Sequence, residues 1–122
     1  MKDKSFDFFR GNNEHLSIYT ELINRLNGFP KLITKMRKSY DHMVVFCNRK
    51  NFAYISLLDG NGFFIDNGFK IIFSVTHKIC DSRIVAITEP HPGRFSHHVI
   101  VKTLDDIDDQ LIGWLKQSYD NA

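Results

Sequence analysis

The sequence predicts an α+β domain: a mainly antiparallel sheet of five or six short strands, with an N-terminal and a C-terminal helix packed on one face. Three observations lead there. Apolar residues recur at three- and four-residue spacing only near the two ends of the chain. The middle breaks into short stretches rich in β-branched and aromatic residues, punctuated by Asp-Gly, Asn-Gly and Pro-Gly pairs. No long helix remains between those stretches to carry a parallel crossover. With 122 residues, the whole chain (1–122) is expected to be one domain.

The elements follow in order. After Phe6, Phe8 and Phe9, the Gly11-Asn12-Asn13 step offers a helix cap, and Leu16, Tyr19, Leu22, Ile23 and Leu26 form an apolar stripe. Gly28 stands where a left-handed C′ residue is expected, and Pro30 stops the helix. Met43 to Cys47 and Phe52 to Leu58 then read as a hairpin around Asn48-Arg49-Lys50-Asn51. Asp59-Gly60-Asn61-Gly62 and Asp66-Asn67-Gly68 supply turns on either side of the short Phe63-Phe64-Ile65 piece. Lys70 to Val75, Arg83 to Thr88 and Ser96 to Lys102 are further strands, the last two separated by a loop from Glu89 to Gly93. Thr103 is the expected cap of the closing helix, with Asp106 completing a capping box and Leu104, Ile107, Leu111 and Leu115 forming its apolar stripe. Tyr19 and Trp114 are expected to pack in the core.

Composition narrows the class. A chain that is 43% hydrophobic and 25% charged is neither disordered, collagen-like nor coiled-coil. No apolar run approaches the ~18 residues of a spanning helix, and the first residues lead into no signal-peptide stretch, so a cytoplasmic protein is expected. Cys47 and Cys80, far apart in sequence, fit reduced thiols. The net charge of +2 is uninformative, but its distribution is not. Lys31, Lys35, Arg37, Lys38, Arg49 and Lys50 are opposed within their segment only by Asp41, whereas Asp105, Asp106, Asp108, Asp109 and Asp120 are opposed in theirs only by Lys116.

The segments Ser5-Phe6-Asp7-Phe8-Phe9-Arg10-Gly11, Lys38-Ser39 and Phe52-Ala53-Tyr54 carry a likeness, together with Glu89-Pro90-His91-Pro92-Gly93-Arg94-Phe95-Ser96-His97-His98-Val99 and the stretch from Asp105 to Tyr119. On them the chain resembles a bacterial domain family of unknown function whose longer members are loosely labelled predicted transport proteins. The resemblance implies a small α+β domain, found alone or attached to nuclease-like modules, and it implies no catalytic residues.

Two regions are candidate sites. His91, His97 and His98 lie close together beside Glu89 and Arg94. In one account Arg94 and His91 hold an anionic ligand, while His97 or His98 transfers a proton with Glu89. In the simpler account one histidine hydrogen-bonds inside the sheet and the other sits at its solvated side. Neighbours on a strand point to opposite faces, so His97 and His98 cannot share a metal ion, and neither a metal site nor a cofactor is expected. The second region is the basic hairpin, where Lys35, Arg37, Lys38, Arg49 and Lys50 are interleaved with Tyr40, Phe46, Phe52 and Tyr54. Such a surface contacts phosphates when its aromatics face outward, and is a solvated rim when they face the core.

The first functional expectation is a small binding module for nucleic acid, or for a complex with a nucleic-acid enzyme, acting through the basic hairpin. The alternatives are an enzyme or small anionic-ligand pocket at the Glu89 to His98 turn, and a protein-protein module using an open sheet face. A homo-oligomer, with the basic hairpin of one subunit on the acidic helix of another, is a further possibility, and no membrane partner is expected.

Overall fold

The computed structural model describes residues 13–29, 33–36, 43–48, 50–57, 65 and 67–121, with 33–36, 43–48 and 50–51 described by their backbone. Helix α1 (Asn13–Leu26) is followed by β1 (Ile33–Met36), β2 (Met43–Asn48), β3 (Lys50–Ser56), β4 (Phe69–Val75), β5 (Ile84–His91) and β6 (Arg94–Val101). A 3-10 turn (Leu104–Asp106) and helix α2 (Asp109–Asp120) complete the chain. The strands pair in the order β1-β2-β3-β4-β6-β5, every pair antiparallel, as the α+β reading requires. Among the described residues no helix is long and apolar enough to cross a membrane.

Strand alternation sorts the sheet into two faces. On β4, Phe69, Ile71, Phe73 and Val75 are fully buried, and their direct partners on β6 include Val101, Val99 and His97. On β3, Ala53 and Ile55 lie across from Phe73 and Ile71 and share that face. These residues join Ile18, Leu22 and Leu26 of α1 and Leu111, Trp114 and Leu115 of α2 in one hydrophobic cluster. Tyr19 and Trp114 are both core residues, as expected. The opposite face carries Tyr54, Lys70, Ile72, Ser74, Ser96, His98 and Ile100.

Several boundaries differ from expectation, each for a local reason. Helix α1 stops where Gly28 and Pro30 indicate, but Gly28 is not left-handed: the end is closed by Asn27 N–H to the Ile23 carbonyl and Phe29 N–H to the Leu26 carbonyl. β1 is an additional edge strand, with Ile33 opposite Cys47 and Met36 opposite Val44. The expected loop from Glu89 to Gly93 contracts to Pro92-Gly93, because β5 runs on through His91. β5 is the last strand of the sheet, so the missing N–H of Pro90 sacrifices little pairing, and Gly93 takes the positive φ of 79° that the tight turn needs. The closing helix does not start at Thr103. Asp106 accepts from the N–H groups of Lys102 and Thr103, the chain breaks at Ile107, and Asp108 caps α2 by accepting from Leu111 N–H. Leu104 is consequently exposed rather than part of the stripe. The Phe63-Phe64 piece lies outside the described residues.

Among the described glycines, Gly68 is the most closely enclosed. Its φ is +104°, and a Cβ added there would lie 2.0 Å from the Val101 carbonyl oxygen. Its N–H donates to Nε2 of buried His15 (2.9 Å), which ties α1 to the start of β4. Gly68→Ala is expected to cost about 2 kcal/mol or more, from the left-handed penalty plus the clash. Urea unfolding followed by circular dichroism should show the midpoint falling at unchanged slope, and a midpoint equal to that of the parent would refute this account.

Candidate functional site

The histidine pair divides between the two faces. His97 is fully buried on the helix side, stacked on Phe73 with ring centroids 5.2 Å apart and planes 8° apart. Phe73 also stacks on Trp114 at 5.8 Å. Nε2 of His97 accepts from Ile79 N–H (2.9 Å), so Nδ1 carries the proton and donates to the Phe95 carbonyl (3.0 Å). Both nitrogens are used within the fold, and burial lowers the pKa of the ring, an effect that the bond to Phe95 opposes. A proton-transfer role for His97 therefore has no free nitrogen to work with, and the simpler account holds for this residue.

His98 sits across from Ile72 on the other face, half-buried and without a hydrogen-bond partner among the described residues. Its pKa is also lowered, first by burial and then by the charge of nearby Lys70. Glu89 uses a carboxylate oxygen to accept from Gly93 N–H (3.0 Å), which closes the β5–β6 turn. Arg94 reaches the other way, donating to the Asn121 carbonyl (2.8 Å) at the end of α2, where a cation also suits the helix dipole. His91 is exposed and pairs in register with Arg94. Of the five expected site residues in this hairpin, the geometry thus turns Glu89, Arg94 and His97 to structural work and leaves His91 and His98 open. They do not converge on one point.

The basic hairpin is located by its backbone. Lys35 belongs to β1, the edge strand, opposite Val45, and Lys50 opens β3 opposite Asn48. Arg37, Lys38 and Arg49 lie outside the described residues. The acidic run sits elsewhere and is engaged by its own chain. Arg83 donates to both carboxylate oxygens of Asp108 (2.8 and 3.0 Å), to Gln110 Oε1 (3.1 Å) and to the Asp106 carbonyl (2.7 Å). Burial opposes ionisation of Asp108, but the Leu111 N–H and the Arg83 guanidinium outweigh it and hold its pKa below the ordinary carboxylate value. Arg25 bridges Glu21 and Asp109 across an open groove of about 370 Å³ between α1 and the 3-10 turn. Among the described residues, no three His, Cys, Asp or Glu side chains gather to hold a metal ion.

The family model of a domain of unknown function, DUF5655, matches residues 6–122. The chain belongs to this family. No curated protein and no solved structure matches it. What can be said of this DUF5655 domain's chemistry therefore rests on its own side chains, and sequence reasoning missed four of the most informative. Arg83, His15, Lys70 and Ser118 find their neighbours through the fold. Ser118 donates to the Phe52 carbonyl and accepts from Ser74 N–H (3.1 Å), which ties α2 to β3 and β4 next to the Ala53–Phe73 pair. The one signal available to sequence was a small polar residue in the stripe of α2 facing the sheet.

The His97 environment gives a pH dependence. The native ring binds a proton less readily than the unfolded ring, whose usual value is 6.5. The stability from neutral His97 is therefore complete above that value and is lost as pH falls through the lowered native pKa. Urea midpoints of the DUF5655 domain should fall between about pH 7.5 and about pH 5. His97→Phe keeps the stack but strands Ile79 N–H, so it should lose about 1–3 kcal/mol at neutral pH while showing a shallower acid decline. An acid decline as steep as that of the parent would show that His97 does not cause it.

Proposed function

We propose that the protein is a cytoplasmic binding module that engages a nucleic-acid backbone along its β1–β2–β3 edge, with Lys35, Arg37, Lys38, Arg49 and Lys50 as the phosphate-contacting residues. The single observation that carries the reading is the sheet order. β1, which bears Lys35, is the terminal strand, and the basic stretch of sequence runs through it and through the turn between β2 and β3. The acidic run begins after β6, four places away from β1 in the sheet order, which at about 4.8 Å per strand puts its start roughly 20 Å from the basic edge. Three of its carboxylates are already answered within the chain, Asp108 by Arg83, Asp109 by Arg25 and Asp120 by Lys116, which limits how far they cancel the basic edge. The same engagement leaves the acidic helix less to offer a second subunit, which weakens the homo-oligomer reading. The cytoplasmic part of the proposal rests on Cys80, a free and exposed thiol.

An enzymatic pocket at the Glu89 to His98 turn has less support, because three of its residues already bind elsewhere in the fold. Fluorescence anisotropy with labelled single- and double-stranded DNA and RNA at rising salt tests the proposal. Each phosphate contact should add ~0.7 to 0.9 to the slope of log affinity against log salt, and Lys35→Glu with Arg49→Glu should flatten that slope by about two contacts' worth. Absence of binding at low salt, or an unchanged slope in the double variant, would sink it.

A further inference from the structure

We propose that Lys70 and His98, with the Ser74–Ser96 hydroxyl pair beside them, form a binding site for a small phosphate-type oxyanion on the sheet face opposite the helices. The register builds the site. Lys70 lies opposite Ile100, Ile72 opposite His98 and Ser74 opposite Ser96, so the six residues make a grid of three cross-strand pairs on one face. His98 has Lys70 as its diagonal neighbour on one side and Ser74 on the other, at the ~7–8 Å separation that long side chains bridge.

The chemistry of this grid is unusual for a sheet surface. Lys70 is only 9% exposed, yet it makes no ion pair or hydrogen bond among the described residues. No fully enclosed side-chain nitrogen or oxygen lacks a partner among those residues, so the Lys70 ammonium must open onto the surface at its tip while its stem is covered. A lysine held in this way, with no carboxylate answering it, is a fixed positive charge at a partly desolvated spot. His98 beside it is likewise unpartnered. The hydroxyls of Ser74 and Ser96 are 2.9 Å apart, and since only one of their two protons is used between them, the other is free to donate outward.

Three kinds of donor thus share one face around His98: an ammonium on one side, an imidazole that gains a second N–H on protonation, and a hydroxyl on the other side. They match the several oxygens and double charge of a phosphate group better than the two oxygens of a carboxylate. The other groups around His98 do not compete. Tyr54 of β3 lies beyond Ile72, Ala86 and Thr88 of β5 are uncharged, and His97 points to the opposite face. With the site empty, burial and Lys70 hold His98 neutral; an anion between the two would reverse that balance and draw a proton onto the ring. The site is separate from the β1 edge and does not rest on it.

Side-chain nitrogen NMR of the full chain, titrated with sodium phosphate against sodium chloride of equal ionic strength, is the test. Phosphate should raise the His98 pKa and shift its ring nitrogens, while leaving those of His97 in place. Lys70→Met keeps the buried stem and should weaken the phosphate response at least about tenfold, as loss of one charge-assisted contact implies. A short single-stranded oligonucleotide forms the second arm: displacement of phosphate by it identifies a nucleic-acid phosphate as the occupant, and failure to displace identifies a free phosphate compound. The proposal is overturned if chloride moves His98 as far as phosphate does, if His98 stays still in the parent protein, or if a folded Lys70→Met variant responds like the parent.

Discussion

The stack in which Phe73 lies against both His97 and Trp114 is the contact on which most of this fold depends. It works only while the imidazole is neutral, because a charged ring on a fully buried position would have to give up its hydration for no opposite charge. The neutral tautomer is set by two backbone groups. Phe95 takes the Nδ1 proton and Ile79 supplies a donor to Nε2, so one side chain fixes its own strand and the connection that leaves β4. Trp114 carries the contact into α2, and the Arg83 guanidinium lies over its ring at 5.7 Å before gripping Asp108 and Asp106. Sheet, helix and the turn before the helix are thereby joined through a single run of planar groups.

The two edges of the sheet are protected by different means. β5 is bulged in two places, carries Pro90 and exposes Val85 and Ile87 without offering a straight row of free backbone groups. β1 is four residues long and contains Lys35, a charge that deters pairing with another chain. Protection of an edge and attraction of a polyanion call for the same residue type, so the basic edge serves the first purpose whether or not it serves the second. The acidic run shows the same economy from the opposite side: Asp106 and Asp108 accept from backbone N–H groups at the start of the 3-10 turn and of α2, and their placement follows from helix chemistry alone.

Much of the architecture was legible in the sequence because it is written in local pattern. The stripe and stop of α1, the β2–β3 hairpin and the strands around Phe73 and Val99 each follow from periodicity and turn residues within a few positions. Errors arose where two local signals competed. Thr103 with Asp106 and Asp108 with Leu111 are both valid caps four or five residues apart, and the chain uses both, one for a 3-10 turn and one for the helix. Pro90 and Pro92 suggested a long loop because a proline inside a strand is tolerated only at an edge, and the sequence does not say which strand is the edge. Strand alternation did separate His97 from His98, but which of them is buried depends on which face the helices cover. Arg83 and Ser118 were invisible for a related reason: their partners lie 23 to 66 residues away.

The adjacent histidines show how a sheet divides labour between neighbouring positions. Both rings have lowered pKa values, and in both burial is the first cause. The causes that follow differ in kind. For His97 the next is the Phe95 carbonyl, which no ligand could alter without opening the core, followed by the charge of His77. For His98 the second cause is the Lys70 cation, whose tip opens on the face away from the helices, and a cation can be neutralised by an anion arriving from solvent. A shift in the same direction is therefore set chiefly by the buried fold at one position and is open to change by an arriving anion at the next, so the two faces of one strand differ in what solvent can do to them.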